Sequence, residues 1–522
     1  MQTIHQLTLA DAITQTESHH SPFEQERRTT PLKKSSIFQS QSVQFVDQKT
    51  EIGTILKAVP STEKNTSSAK RIAVLFSGGP AAGGHNVVLG LKHSLRPEDT
   101  LFGVKAGPKG LLNGDLFELN LDAIEAVQNL GGFDLLGSDR TKIKTDEQFQ
   151  AVLNTVRKFK LNGIIVIGGD DSNTNASQLA DFLKNENCHV IGVPKTIDGD
   201  LQWGKFLPIS FGFDTATKVY AELVGNILQD TPSSRKYWHF VKLMGRSASH
   251  VALEVALQTK PPIALISEEV KDRNISLDTI VTHIATVIAY RQGRGLNYGV
   301  VLIPEGLIEF IPDLINSLPA ELLQDRDSHG NLKVSQIETE TVLLNLTQKK
   351  LTEIQKNPEA YLTQEPYKLT QNEIQKFQAS EFSSNTHFFG YEGRCGAPSA
   401  FDTTYTYHLG LGAGALILNN KTGYIISMTT SNEILALPLS GMITEEIRDG
   451  KATPVIEKAL VKLDSPAFKY FESRRTEWAK SDVFSSPGPR QYYGPTANQL
   501  PITVALNQEL ESIFFTQADQ PA

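Results

Sequence analysis

A strand, a glycine loop and a helix, written twice in the same order, constrain this chain more than any other feature. The apolar run Ile72 to Phe76 meets Ser77-Gly78-Gly79-Pro80-Ala81-Ala82-Gly83-Gly84 and then a helix-like segment from about His85 to Leu95. Gly163 to Ile167, Gly168 to Asn173 and Ala176 to Lys184 repeat that order as strand, loop and helix, and Leu101 to Val104 and Val190 to Val193 supply the following strands. This is the spacing of βαβ units, so it predicts a parallel sheet with right-handed crossovers. A second series predicts a strand over Tyr237 to Leu243, a helix from Ser247 as N-cap to about Gln258, a strand over Ile263 to Ser267, a helix over Leu277 to Arg291 and a strand over Gly299 to Ile303.

At 522 residues the chain is too long for one core, and the usual domain size predicts roughly three units. The expected fold is α/β, with two doubly wound Rossmann-like parallel-sheet domains and a helical insertion. Its expected parts are an N-terminal extension (1–69), a first α/β domain (70–215), a second α/β domain (216–306), a helical insertion (307–388) and a C-terminal segment completing the sheets (389–522). The extension is polar apart from Ile37, Phe38, Val43, Phe45 and Val46, and is expected to drape over the body or stay partly disordered. In the insertion, Ile337, Val342, Leu346, Leu351 and Ile354 keep helical spacing.

Composition then narrows the function. Fifty basic against 58 acidic side chains leave a net charge of −8, which gives no global field for nucleic acid or anionic lipid, so an anionic substrate must be captured locally. The two cysteines, Cys188 and Cys395, form neither a disulfide framework nor a zinc motif. Met1 to Thr16 has no apolar h-region, and no apolar stretch approaches the ~20 residues of a membrane span, so a soluble cytoplasmic protein is expected.

The loops carry the chemistry. Ser77 to Gly84 lets backbone N–H groups approach a polyanion at a helix start, although a tight turn without ligand has the same composition. It is not a GxxxxGK[ST] loop, and Pro80 spoils GxGxxG. A near match to GxGxxA at Gly410, Gly412 and Ala415 follows Tyr405-Thr406-Tyr407-His408 instead of an apolar strand, so close helix packing is the better account and a dehydrogenase loses its main support. In Gly168-Gly169-Asp170-Asp171, a helix cap explains one carboxylate but not two, whereas Mg²⁺ shared with substrate phosphates explains the pair. Pro194-Lys195-Thr196-Ile197-Asp198-Gly199-Asp200 brings a cation and two more carboxylates to the same sheet edge. Unit charges about 4 Å apart at an effective dielectric near 20 interact by about 4 kcal/mol, so Lys195 can stabilise charge on a moving phosphoryl group. Asp198 can act as general base toward a hydroxyl.

Together with Met244-Gly245-Arg246, Pro304-Glu305-Gly306 and Gly390-Tyr391-Glu392-Gly393-Arg394, these loops make six ordered motifs that resemble the phosphofructokinase family, in particular its long pyrophosphate-dependent branch, over about residues 70 to 470. The resemblance implies that Gly79 binds pyrophosphate, that Asp170 handles Mg²⁺ and that Asp198 takes the proton from the 1-hydroxyl of fructose 6-phosphate. It also implies that Thr196, Ile197, Asp198, Met244, Gly245, Arg246, Glu305, Tyr391, Glu392, Gly393 and Arg394 line the sugar site, and that Lys236 and Tyr237 reach the sugar site of a partner subunit in a homodimer or higher oligomer. Arg140 resembles a phosphate-facing position, yet a lone arginine after Gly137-Ser138-Asp139 is also an ordinary solvated side chain. Ala82 and Gly199 depart from the common Pro and Asn, and neither change removes a charge.

Donor choice rests on Asp171 and Lys195, where ATP-using relatives typically carry glycine. Asp171 would crowd and repel the α-phosphate of ATP, and Lys195 would hold pyrophosphate and stabilise the transferred group. The expected reaction is reversible phosphoryl transfer from pyrophosphate in glycolysis or gluconeogenesis. An ATP-dependent phosphofructokinase and a non-catalytic regulatory subunit are the competing expectations; the second sits poorly with Asp170, Lys195 and Asp198 all being present.

Overall fold

The computed structural model describes residues 32–40, 42–63, 68–246, 248–316, 337–448, 451–487 and 500–508. Its strands in chain order begin with an antiparallel hairpin, β1 (Ser42–Thr50) and β2 (Gly53–Ser61). Next come β3 (Arg71–Ser77), β4 (Thr100–Val104), β5 (Leu116–Glu118), β6 (Ser138–Asp139), β7 (Gly163–Gly168), β8 (His189–Thr196) and β9 (Phe211–Gly212). β10 (Trp238–Leu243), β11 (Ile263–Ala264), β12 (Gly299–Pro304) and β13 (Ser384–Phe389) build a second sheet, and β14 (Tyr424–Met428) and β15 (Ile434–Pro438) return to the first. β16 (Ile443–Arg448) and β17 (Lys451–Ile456) form a separate hairpin.

The first sheet runs β1-β2-β15-β14-β8-β7-β3-β4-β5, with β6 beside β3 and β9 beside β8. Its centre, β14-β8-β7-β3-β4, is parallel, and antiparallel strands close both edges. The second sheet, β11-β12-β10-β13, is parallel throughout. β3 shows why its apolar run was continuous. Ile72, Val74 and Phe76 enter the core with Val87 and Leu91 of the Gly84–Ser94 helix, while Ala73 and Leu75 enter the opposite core with Val152 and Leu179. A strand buried on both faces has no polar side to alternate with. The chain leaves β3 toward β4 and returns to β7 on the other side, which opens a crevice outside the carboxyl ends of β3 and β7.

The Phe213–Ser234 helix links the two sheets. Between β12 and β13, helices Thr339–Lys356, Glu359–Leu362 and Gln371–Gln378 pack Leu343, Leu351, Ile354 and Phe377 with Ile280, Ile284 and Ile288 of the Leu277–Gly293 helix. A buried ion pair, Lys242 Nζ to Glu340 Oε2 at 3.0 Å, ties the first of them to β10.

Several sequence expectations change in detail. The Gly168 to Asn173 loop is shorter, because Asp170 already opens the Asp170–Leu183 helix and the Asn173 amide donates to the Gly168 and Gly169 carbonyls. The Ile263 to Ser267 strand pairs only at Ile263 and Ala264; the Ser267 N–H goes to Ser249 Oγ, and a helix starts there. Ser247 lies outside the described residues, and the next helix is His250–Thr259 after Ser249. Residues 42–61 of the extension are a hairpin laid along β15, where Phe45 is buried and Val46 points outward. Gly410 sits inside the Ala400–Leu418 helix, where a Cβ would lie 2.1 Å from the Val87 carbonyl oxygen, so the glycine pattern serves helix packing.

Candidate active site

Parallel strands present their following loops at one edge, and here two such edges face each other. The loops after β3, β7 and β8 meet those after β10, β12 and β13 across a cleft of about 430 Å³. Gly79, Asp170, Asp171, Lys195, Thr196, Ile197, Asp198, Met244, Arg246, Glu305, Tyr391 and Arg394 all line it, as do Arg140 and Asp200.

On the first-sheet side, the Gly78 N–H donates to the Asp139 carbonyl at 2.9 Å and Ser138 Oγ donates to the Gly78 carbonyl at 2.8 Å. β6 thereby braces the glycine loop and brings Arg140, an exposed side chain, to the cleft. A side chain at position 79 would put its Cβ 1.6 Å from Arg394 Nη2, so only glycine lets that guanidinium reach the loop. Lys195 is 6% exposed and donates from Nζ to the Gly79 carbonyl at 2.7 Å. Burial, then Arg394 and Arg140, lower its pKa to about 8 against the opposing pull of Asp198 and Asp170. It is therefore a cation that a bound polyanion would stabilise.

Asp171 pairs with Lys142 Nζ at 2.8 Å, and Asp170 Oδ2 lies 3.7 Å from Lys458 Nζ. Burial, aided by Asp198 and then Asp170, pushes the Asp200 carboxyl up to about 8. Among the described residues no group of three or more His, Cys, Asp or Glu is placed to hold a metal ion unaided. The carboxylates around Asp170 nonetheless suit a hard cation that takes one or two protein oxygens and completes its shell from substrate phosphate.

On the second-sheet side, Glu305 is buried and accepts from the Gly245 N–H at 3.0 Å; burial, then Asp198, raises its pKa to about 7. A Cβ at Gly306 would lie 2.1 Å from the Arg246 carbonyl oxygen, so the Met244 to Arg246 and Glu305 to Gly306 turns fit only with glycine there. Tyr220, on the linking helix, donates from its hydroxyl to the Gly390 carbonyl at 2.5 Å, and its ring closes over Gly393. Glu392 accepts from the Gly390 N–H at 2.8 Å, which turns it back onto its own loop, and Arg394 stacks on the exposed Tyr391 ring at 5.5 Å.

Lys236 and Tyr237 are not brought to this cleft. They precede β10, at the end of the sheet opposite Met244, where Lys236 is exposed and lies over the Tyr237 ring at 5.0 Å. Lys142, Tyr220 and Lys458 escaped the sequence reading. Lys142 follows Arg140 in a short basic run that offered a weak signal, whereas Tyr220 and Lys458 belong to no motif: Lys458 reaches the cleft, and Tyr220 supports the Gly390 to Gly393 turn from the core behind it, through tertiary packing alone.

The phosphofructokinase family model matches residues 71–417. A Treponema pallidum protein named pyrophosphate–fructose 6-phosphate 1-phosphotransferase is 42% identical over 509 residues, covering 85% of this chain and 86% of its own. The beta subunit of the enzyme of that name from Solanum tuberosum is 42% identical, covering 84% of this chain and 82% of its own. Among solved structures, the pyrophosphate-dependent phosphofructokinase of Marinobacter aquaeolei shares the fold with a TM-score of 0.53 at 18% identity, over 81% of this chain and 95% of that one. With the six loops gathered around one cleft, these matches show that the chain belongs to the phosphofructokinase family.

Proposed function

We propose that this protein transfers a phosphoryl group from pyrophosphate to the 1-hydroxyl of fructose 6-phosphate, releasing phosphate and fructose 1,6-bisphosphate, reversibly and in the cytoplasm as a step of glycolysis or gluconeogenesis. Relatives at 42% identity bear the name of that activity, and no helix among the described residues is long and apolar enough to cross a membrane.

The chain's own residues account for the steps. The glycine loop at Gly79 and the buried Lys195 ammonium hold the donor, and a cation in a dry pocket acts far more strongly on developing charge than one in water. Asp198, between the donor and sugar loops, removes the proton from the attacking hydroxyl. Arg246 grips the sugar phosphate through charge-assisted hydrogen bonds, joined by Arg394, whose guanidinium reaches across to the Gly79 loop and so also faces the donor, and Glu305, fixed by Gly245, accepts sugar hydroxyls. Thr196, Ile197 and Met244 shape the floor between them. Because phosphoryl transfer demands alignment more than covalent chemistry, fixing both reactants in one cleft supplies much of the rate. Asp170, with Asp198 and Asp200 beside it, would hold Mg²⁺, which when bound neutralises donor charge. Lys236 and Tyr237, stranded away from their own cleft, would serve the sugar site of a second copy.

Pyrophosphate is favoured over ATP by one contact above all: Lys195 Nζ against the Gly79 carbonyl, occupying the floor of the donor loop. Aldolase-coupled formation of fructose 1,6-bisphosphate, run with Mg²⁺ and either pyrophosphate or ATP, tests this. Turnover with pyrophosphate alone is expected; turnover with ATP alone refutes the donor, and none with either refutes the activity.

A further inference from the structure

The C-terminal segment passes over the donor end as a strap, residues 456–461, fastened at nearly every step. The Ile456 N–H donates to Thr174 Oγ1 at 3.0 Å and the Glu457 N–H to the Met442 carbonyl at 3.2 Å. The Ala459 N–H donates to the Asp200 carbonyl at 2.7 Å, and the Ala459 carbonyl lies 2.8 Å from His250 Nε2. The Val461 N–H donates to Glu268 Oε1 at 3.0 Å, giving a deeply buried carboxylate a structural purpose outside the chemistry. One side chain of this strap, Lys458, is delivered into the cleft, 3.7 Å from Asp170 Oδ2.

We propose that Lys458 is a pyrophosphate-binding residue, and that the strap exists to hold it at the donor end; this rests on the proposed use of pyrophosphate. The charge pattern favours such a group. Asp170, Asp198 and Asp200 crowd that end; Arg140 and Arg394 stand on the Gly79 side, Lys142 is engaged by Asp171 and Lys195 lies deep against Gly79, whereas Lys458 is the cation beside Asp170. A polyanion approaching three carboxylates needs a counter-charge on the same side. Lys458 supplies it from a backbone that is pinned on both sides, so no backbone has to be ordered on binding.

Titrating pyrophosphate with Mg²⁺ calorimetrically into the full chain without sugar, for the wild type, Lys458→Met and Lys458→Arg, reads binding apart from turnover. Loss of one charge-assisted contact is expected to weaken binding about ten- to a hundredfold in Lys458→Met. Lys458→Arg should recover most of the loss, and fructose 6-phosphate binding should not change. If Lys458→Met melts earlier but binds pyrophosphate as the wild type does, the lysine is purely structural and the proposal fails. If Lys458→Met does not fold, Lys458→Gln replaces it under the same criteria. No pyrophosphate binding by the wild type overturns the donor assignment itself, a failure distinct from that of the lysine.

Discussion

The two sides of the cleft are built on different principles. The donor side is made of main chain: glycine turns whose Cβ positions are already taken by Arg394 or approached by Lys195, with charged groups wedged against carbonyls. The sugar side is made of side chains at the ends of β10, β12 and β13, held by second contacts such as Gly245 to Glu305 and Tyr220 to Gly390. The donor side gathers all its expected residues within one chain. The sugar side does not, since Lys236 and Tyr237 sit at the far end of the same sheet. A backbone cradle fixes the shape of a small anion, whereas recognition by side chains can be divided between copies, and that difference sets the order of what can be broken.

The largest effect is expected where the sides meet. Asp198→Asn keeps the shape but removes the base, so kcat should fall by about a thousandfold with both KM values nearly unchanged. A matching rise in either KM would move Asp198 from chemistry to binding.

pH separates the sides next. As pH rises through about 8, free Lys195 loses its proton and with it the grip on pyrophosphate, so kcat/KM for pyrophosphate should fall on the alkaline side. As pH falls through about 7, Glu305 becomes protonated and accepts sugar hydroxyls less well, so kcat/KM for fructose 6-phosphate should fall on the acid side. Lys195→Arg, whose cation persists, should erase the alkaline limb only; survival of that limb would assign it to another group.

The smallest expected effect concerns the divided side. Lys236→Ala should raise the KM for fructose 6-phosphate about tenfold and leave that for pyrophosphate alone. Co-expression with Asp198→Asn chains should yield hybrid sites with the original sugar KM, because an intact Asp198 would then meet an intact Lys236 from the other copy. An unchanged sugar KM in the single variant would remove the case for sharing.

These contrasts also explain what the sequence could convey. The donor side was legible because a strand ending in glycines, as at Phe76 to Gly79 or Ile167 to Asp170, is a contiguous local signal. The helix expected from Ala176 begins six residues earlier, at Asp170, because the polar run Asp170 to Asn175 has equal claims to loop and first turns. The Ile263 to Ser267 strand was overread because an apolar run does not show that Ser267 will be captured by Ser249. Lys142 and Lys458 could not be assigned roles from local pattern, since their partners Asp171 and Asp170 are remote in sequence. The glycine pattern of Gly410 to Ala415 is legible as helix packing because no apolar strand precedes it, and close packing on the Gly84–Ser94 helix is its physical reason.

The central claim is that Asp171 and Lys195 set the donor. Its most direct test is the initial rate of fructose 1,6-bisphosphate formation from pyrophosphate by the Asp171→Gly, Lys195→Gly double variant beside the wild type, at saturating fructose 6-phosphate and Mg²⁺. Removing a buried cation aimed at developing charge should lower that rate about a hundredfold or more. A double variant that uses pyrophosphate as fast as the wild type would contradict the account.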